Sequence, residues 1–170
     1  MGSEPGDVAA ELVDVVDQHD RVIGTVPRGE MRARRLLHRA VFIAVRHPDG
    51  RVLVHQRSPH KDLWPSRWDF AVGGVVSAGE SYDAAAAREL AEEVGVRDVV
   101  PERLGHRAFE NADVALLATC YRVTSDGPFT FDDGEVVSVE WVEPDDLPAC
   151  IAERKFVPDS LALIDELLRD

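Results

Sequence analysis

Residues 73–96, GGVVSAGESYDAAAARELAEEVGV, constrain this chain more than any other stretch. Ser81 is a good N-cap, Asp83 puts a negative charge in the first turn, four consecutive alanines favour helix, and Gly95 suits a left-handed stop. The spacing predicts a helix over 82–94. At about 100° per residue, Ala87, Leu90, Ala91 and Val94 form an apolar stripe, and Glu89, Glu92 and Glu93 fall on the opposite face.

That acidic face carries an electrostatic problem. Glu89 and Glu93 are like charges four residues apart, which costs a few tenths of a kcal/mol, and Arg88, four residues before Glu92, offsets only part of it. The plain reading is a solvated acidic face, the usual fate of helical glutamates. A hard divalent cation such as Mg²⁺ would turn the cluster into a site, because it takes oxygen ligands and pairs one or two carboxylates with substrate phosphates. The Gly73–Gly74 pair, taken alone, reads as a turn. Next to this helix it also permits close approach of a ligand, and a carbonyl from Gly73 or Gly74 could complete the coordination.

The chain has 170 residues, 45% of them hydrophobic, which is one domain's worth of core. Lys and Arg total 19 against 32 Asp and Glu, a net charge of −13, which argues against nucleic acid and anionic membrane surfaces as partners. An anionic substrate then needs a bridging metal. Cys120 and Cys150 fit neither a disulfide framework nor a metal motif and read as small buried hydrophobes. The N-terminus has no signal-peptide pattern and no stretch is apolar enough to span a bilayer, so a cytoplasmic chain is expected.

Residues 1–10 are small and polar and are expected to lack order, leaving 11–170 as a single domain. Leu12–Val16 and Arg21–Val26 read as a hairpin around Asp17–Asp20 that ends at Pro27. Residues 29–36 have helical composition, and their arginines, Arg32, Arg34 and Arg35, read as a solvated face. The apolar run 40–45, the turn at 47–50 and the alternating run 51–57 form a core hairpin. The loop SPHKDLWPSRWDF follows, with Pro59 and Pro65 excluding regular structure. Arg57, Lys61 and Arg67 in or beside it can balance the acidic helix and hold phosphate oxygens, while Trp64 and Trp68 read as core anchors. Strands are expected near 103–109, 114–123 and 135–142, then a short helix from Pro144 and a terminal helix capped by Asp159 or Ser160 and running to Leu168. Strands interleaved with helices give an α/β fold.

Gly74, five residues, Glu80, seven residues, then Arg88-Glu89-Leu90-Ala91-Glu92-Glu93-Val94-Gly95-Val96 resembles the complete signature of the Nudix family. The resemblance implies a mixed β-sheet sandwiched between helices and hydrolysis of a diphosphate bond in a nucleoside diphosphate derivative or related organic diphosphate, with Mg²⁺ or Mn²⁺. It implies Glu89 and Glu93 as main metal ligands, Glu92 as a further ligand or acid–base partner, and the Gly74 carbonyl as another donor. Arg88 and Glu80 would complete the set by pairing to support loop and helix. The metal would neutralise the diphosphate and activate water, and the base is open between Glu89, Glu110 and Glu135. A homodimer, common among relatives, is one expected assembly.

Leu37-His38-Arg39-Ala40 through Gln56-Arg57, Lys61, Trp64-Pro65 and Trp68 further resembles the isopentenyl diphosphate isomerase branch. There the residues matching Arg57 and Lys61 hold the diphosphate. The isomerase needs a cysteine where this chain has Gly73 and a metal-binding histidine where it has Val75. His38 matches another isomerase ligand whose partner is missing, so it reads as structural. Three readings follow: a hydrolase of isomerase-like build, an isoprenoid diphosphate isomerase, and a non-catalytic nucleotide sensor.

Overall fold

The computed structural model describes residues 5–170, with side chains from Val8 onward. Residues 1–4 of the segment expected to lack order lie outside the described residues, and Pro5–Ala10 form a short helix, α1. β1 (Leu12–Val16) and β2 (Val22–Pro27) make the expected hairpin, with Leu12 opposite Pro27. Its turn is fixed by the Asp17 carboxylate, which accepts from the N–H groups of His19 and Arg21 at 2.8 and 3.0 Å. α2 (Arg28–Ala33) is shorter than the expected 29–36, because Arg35 takes φ 52° and turns the chain into β3 (His38–Arg46). β4 (Val52–Arg57) follows.

Two strands absent from the sequence reading come next, β5 (Trp68–Asp69) and β6 (Val72–Val75). The glycine pair is therefore strand, not turn: Gly73 pairs with Phe42 and Gly74 with Val41. α3 (Tyr82–Val94), β7 (Glu102–Glu110), β8 (Ala115–Thr124) and β9 (Val136–Val142) lie where expected to within about two residues. A 3₁₀ turn at Pro144–Asp146 leads into α4 (Leu147–Glu153). The terminal helix is broken into α5 (Pro158–Ala162) and α6 (Ile164–Leu167). Neither Asp159 nor Ser160 is its cap: Val157 precedes it, and both polar residues are buried within the first turn.

β3 is the axis of the molecule. It pairs antiparallel with β6 on one side and parallel with β8 on the other, and β8 carries β7, which makes the sheet mixed. β4 pairs with β9 and β5 in a smaller antiparallel patch joined to β3 at Arg46–Val52. Side chains alternate across β3, so Ala40, Phe42 and Ala44 enter one core with Leu147, Phe156, Leu163 and Leu167 of the C-terminal helical region. Val41, Ile43 and Val45 enter the other with Ala85, Ala86, Leu90 and Val94 of α3. The sheet is thus sandwiched between helices, an α/β fold in which β3 is buried on both faces and reads as a continuous apolar run. Each fully buried aliphatic side chain there stabilises by about 1.5–3 kcal/mol. Among the described residues no helix is long and apolar enough to cross a membrane.

Candidate active site

α3 is held at both ends by its own sequence. Ser81 Oγ accepts from the Ala84 N–H at 3.1 Å, and Gly95 sits at φ 72° with its N–H bonded to Ala91 O. The face it buries differs from the expected stripe. Ala87 is exposed and Ala91 half-buried, while Ala85, Ala86, Leu90 and Val94 pack against the sheet together with Glu89 and Glu93. Only Glu92 of the three glutamates faces solvent. The helix lies closer to β6 than amphipathicity alone implies, because Gly74 offers no side chain: a Cβ there would stand 2.6 Å from Glu89 Oε1.

Burial sets the chemistry of these carboxylates. Glu89 is raised to about 7, chiefly by burial, with Arg88 opposing and Glu92 and Glu135 adding to the rise. Burial likewise pushes Glu93 well above the ordinary carboxylate value, reinforced by Glu89 and Glu135 and opposed by Lys61. Arg88 grips Glu80 in a fork, Nε–Oε1 2.8 Å and Nη2–Oε2 2.9 Å. The same guanidinium donates to Glu89 at 2.8 Å, Glu92 at 3.2 Å and the Val75 carbonyl at 3.3 Å. Glu80 also accepts from the Ser77 N–H at 3.0 Å, so Arg88 and Glu80 lock the 76–81 loop to α3.

The loop from Ser58 to Arg67 supplies the opposite charge. Lys61 Nζ donates to Glu135 Oε2 at 2.6 Å and lies 3.9 Å from Glu93 Oε1. Burial alone would raise Glu135, but the Lys61 charge and hydrogen bond, with Glu93 and Arg28 adding to them, outweigh it and hold this carboxyl below its ordinary value. Of the two candidate bases outside the helix, Glu135 therefore joins the cluster. Glu110 is instead an exposed side chain paired with Arg35 at 3.3 Å. Arg57 donates to the carbonyls of Leu63 (2.8 Å) and Trp64 (3.2 Å), which pins the loop. Arg67 donates to Phe156 O at 3.2 Å and lies over the Trp64 ring, turned away from the cavity that Arg57 and Lys61 line.

That cavity, about 60 Å³, lies between β3, α2 and the 58–67 loop, and Gly73, Gly74 and Lys61 connect it to the carboxylates. Its wall includes residues that sequence reasoning missed. Arg32, expected on a solvated face, donates to Asp62 at 3.2 Å, and Arg28 reaches the same carboxylate at 3.3 Å. Met31 is the cause: buried with Val13 and Val75, it anchors α2 and turns both arginines inward. Arg34 keeps its solvated position, paired with Glu30. Asp69, Asp159 and His38 also line the cavity. Trp64 and Trp68 pack on the core as expected, and Cys120 is buried and Cys150 half-buried.

No three carboxylates among the described residues converge on one point, since Arg88 draws Glu89 and Glu92 and Lys61 draws Glu135. The donor set nevertheless fits a hard divalent cation: four carboxylates against two cations, Arg88 and Lys61, with Glu89 and Glu93 buried at a glycine strand that leaves room for a close approach. Such a site has the elements for hydrolysis at phosphorus. Residues 36–164 match the NUDIX domain family. The chain is 40% identical to an uncharacterised Nudix hydrolase of Streptomyces coelicolor, over 91% of this chain and 86% of that protein. It is 37% identical to the uncharacterised Nudix hydrolase YfcD of Escherichia coli, over 90% of this chain and 84% of that one. Its fold is similar to the crystal structure of DR0079 from Deinococcus radiodurans, with a TM-score of 0.75 and 30% identity over 94% of this chain and 98% of the other. With the buried glutamates of α3, the glycine strand beside them and these relatives, the chain belongs to the Nudix family and is a Nudix hydrolase.

Proposed function

We propose that the chain hydrolyses a diphosphate bond in a nucleoside diphosphate derivative or related organic diphosphate, using Mg²⁺ or Mn²⁺. The observation that carries this reading is the burial of Glu89 and Glu93 against Gly74, with Lys61 as the cation beside Glu93. Two buried carboxylates with raised pKa are costly to ionise, and a divalent ion offsets that cost. Glu89, Glu93 and Glu92, with the Gly74 carbonyl, would hold the cation. When bound, it supplies charge neutralisation on the diphosphate and a more acidic water. Arg57 and Lys61 line the neighbouring cavity and suit phosphate oxygens, joined by Arg28 and Arg32; Arg67 supports the loop through Trp64. Of the two candidate bases outside the helix Glu135 is favoured, because it lies in the cluster beside Lys61 while Glu110 is paired with Arg35 on the surface.

The sequence from Leu37 to Trp68 resembles the isomerase branch, but the isomerase reading meets a steric obstacle. A Cβ on residue 73 would lie 1.9 Å from the Val41 carbonyl oxygen, so this backbone has no room for the cysteine that reaction needs. A screen for cleavage of the diphosphate bond, read by chromatography of the phosphorylated products, over nucleotide sugars, dinucleotides, nucleoside di- and triphosphates and prenyl diphosphates tests the proposal. Metal-dependent cleavage of at least one diphosphate is expected. Rearranged prenyl diphosphate without cleavage of any diphosphate would overturn it.

A further inference from the structure

Arg28 and Arg32 stand one helical turn apart on α2, and both line the cavity because Met31, between them in sequence, is buried. Like charges at that spacing repel. One carboxylate serves them both: Asp62 Oδ2 accepts from Arg28 Nε at 3.3 Å and from Arg32 Nε at 3.2 Å. Charge-assisted bonds of this kind are ordinarily about 2.7–2.9 Å, so the grip is loose. Glu11 adds only a 3.7 Å approach to Arg28. Among the described residues, Asp62 Oδ1 and the two Nη groups of Arg32 make no hydrogen bond. Exposure divides the trio unevenly. The Asp62 side chain is 37% exposed, against 15% and 21% for Arg28 and Arg32, so the anion is the partner that can leave into water while the cations stay in the wall. The backbone on either side of it is fixed separately, by Arg57 on the carbonyls of Leu63 and Trp64 and by the Lys61 N–H on Ser58 O. Burial alone would raise Asp62, but Arg28 and Arg32, with Lys61 adding to them, hold it down at about 2, so its charge is present at neutral pH.

We propose that Asp62 is a specificity-determining residue, an internal anion that occupies the Arg28–Arg32 pair until a phosphate group displaces it. This rests on the diphosphate hydrolase reading above and names what sets the affinity threshold of that site. Two arginines sharing one loosely held oxygen suit an anion with several oxygens, because each guanidinium keeps donors that Asp62 leaves unused. Every phosphate that takes the pair must break the same two contacts, so Asp62 weakens the binding of all of them. A diphosphate offsets that loss through its second phosphate, for which Arg57 and Lys61 line the same cavity. A single phosphate has no second group to do so. The same carboxylate therefore favours release of a monophosphate product, by returning to the arginines as the product leaves.

Calorimetric titration of the whole chain with inorganic phosphate and with inorganic pyrophosphate, both in EDTA, tests this on wild type, Asp62→Asn and Asp62→Ala. The wild type is expected to bind pyrophosphate more tightly than phosphate, and each substitution to tighten both anions at least about fivefold. In an Arg28→Gln/Arg32→Gln background the gain is expected to vanish, because Asp62 then has no cation to occupy. A purely structural role would not produce that coupling. Asp62 is exposed, so urea midpoints close to wild type are expected, and the two substitutions guard against one of them failing to fold. Unchanged or weaker binding of either anion, no binding by any form, or a gain that persists without the arginines overturns the proposal, the last by marking a general charge effect. Collapse of both urea midpoints overturns it as well, by making Asp62 a structural anchor. Diphosphate cleavage is followed separately in Mg²⁺ and Mn²⁺; its absence for every diphosphate overturns the hydrolase reading, and the anion titrations then still decide the role of Asp62.

Discussion

At the scale of single residues, the site is built from what glycine omits and glutamate resists. Gly74 has no Cβ, and Glu89 occupies the space, so Gly74→Ala drives a methyl group to 2.6 Å from a carboxylate oxygen. That carboxylate ends a flexible side chain and can move, so activity should fall on the order of 100-fold while stability drops by only about 1–2 kcal/mol. At Gly73 the obstacle is the Val41 backbone oxygen, at 1.9 Å, which cannot yield. Gly73→Ala should therefore cost about 3 kcal/mol or more and deplete soluble protein. Measuring kcat and urea midpoints for both variants separates a repositioned ligand from a broken strand pair; equal losses of stability would contradict the distinction. Glu93→Gln belongs here as well. It removes a proposed ligand and the cost of ionising a buried acid, so turnover should fall at least about 100-fold while the melting temperature holds or rises. Near-normal turnover at saturating Mg²⁺ would refute Glu93 as a ligand.

At the scale of elements, α3 was legible because its start and stop are local chemistry: Ser81 and Gly95 act through their own backbone neighbourhood. Ser81→Ala should lower stability by about 1 kcal/mol, read as a shifted denaturation midpoint with unchanged slope. Its buried face was not legible. Periodicity assigns faces by polarity, and Glu89 and Glu93 sit on the inner side because β6 is a glycine strand and Lys61 arrives from a loop 30 residues upstream. β5 and β6 escaped notice because β5 has only two residues and β6 is half glycine, so neither shows much β-propensity, and pairing with β4 and β3 creates them. The same holds for α2. Its sequence shows arginines on a polar helix, and only the burial of Met31 turns Arg28 and Arg32 onto Asp62. Of the candidate site residues, those inside the signature could be named from spacing. Glu135 could be singled out from Glu110 only once β4 and β9 were paired, which brings Ser58 N–H to 2.8 Å from the Glu135 carbonyl and Lys61 to its carboxylate.

At the scale of the whole molecule, a chain of net charge −13 places Asp69 and Asp159, both buried, in a cavity lined by Arg28, Arg32, Arg57 and Lys61, and this has a consequence for folding as pH changes. Burial raises Asp69 from 3.8 to about 7, with the neighbouring Asp159 charge adding to it and Arg57 opposing. The folded chain keeps the Asp69 proton up to about pH 7, whereas the unfolded chain releases it near 3.8. Its stabilising contribution is therefore complete below pH 4 and is lost as pH rises through 7. His38 acts in the opposite sense: burial lowers it from 6.5 to about 4, so its penalty is felt as pH falls between those values. In the wild type the two slopes partly cancel. Asp69→Asn removes one and leaves the other, so the stability of the variant relative to wild type should climb by about 2–4 kcal/mol between pH 4 and pH 8. Urea denaturation of both proteins at pH 4.5, 6 and 8 reads this directly. A difference that stays flat across the range would mean that Asp69 is ionised in the fold at low pH, compensated by the arginines around it, and the cavity floor would then hold an ion-pair network instead of a buried neutral carboxyl.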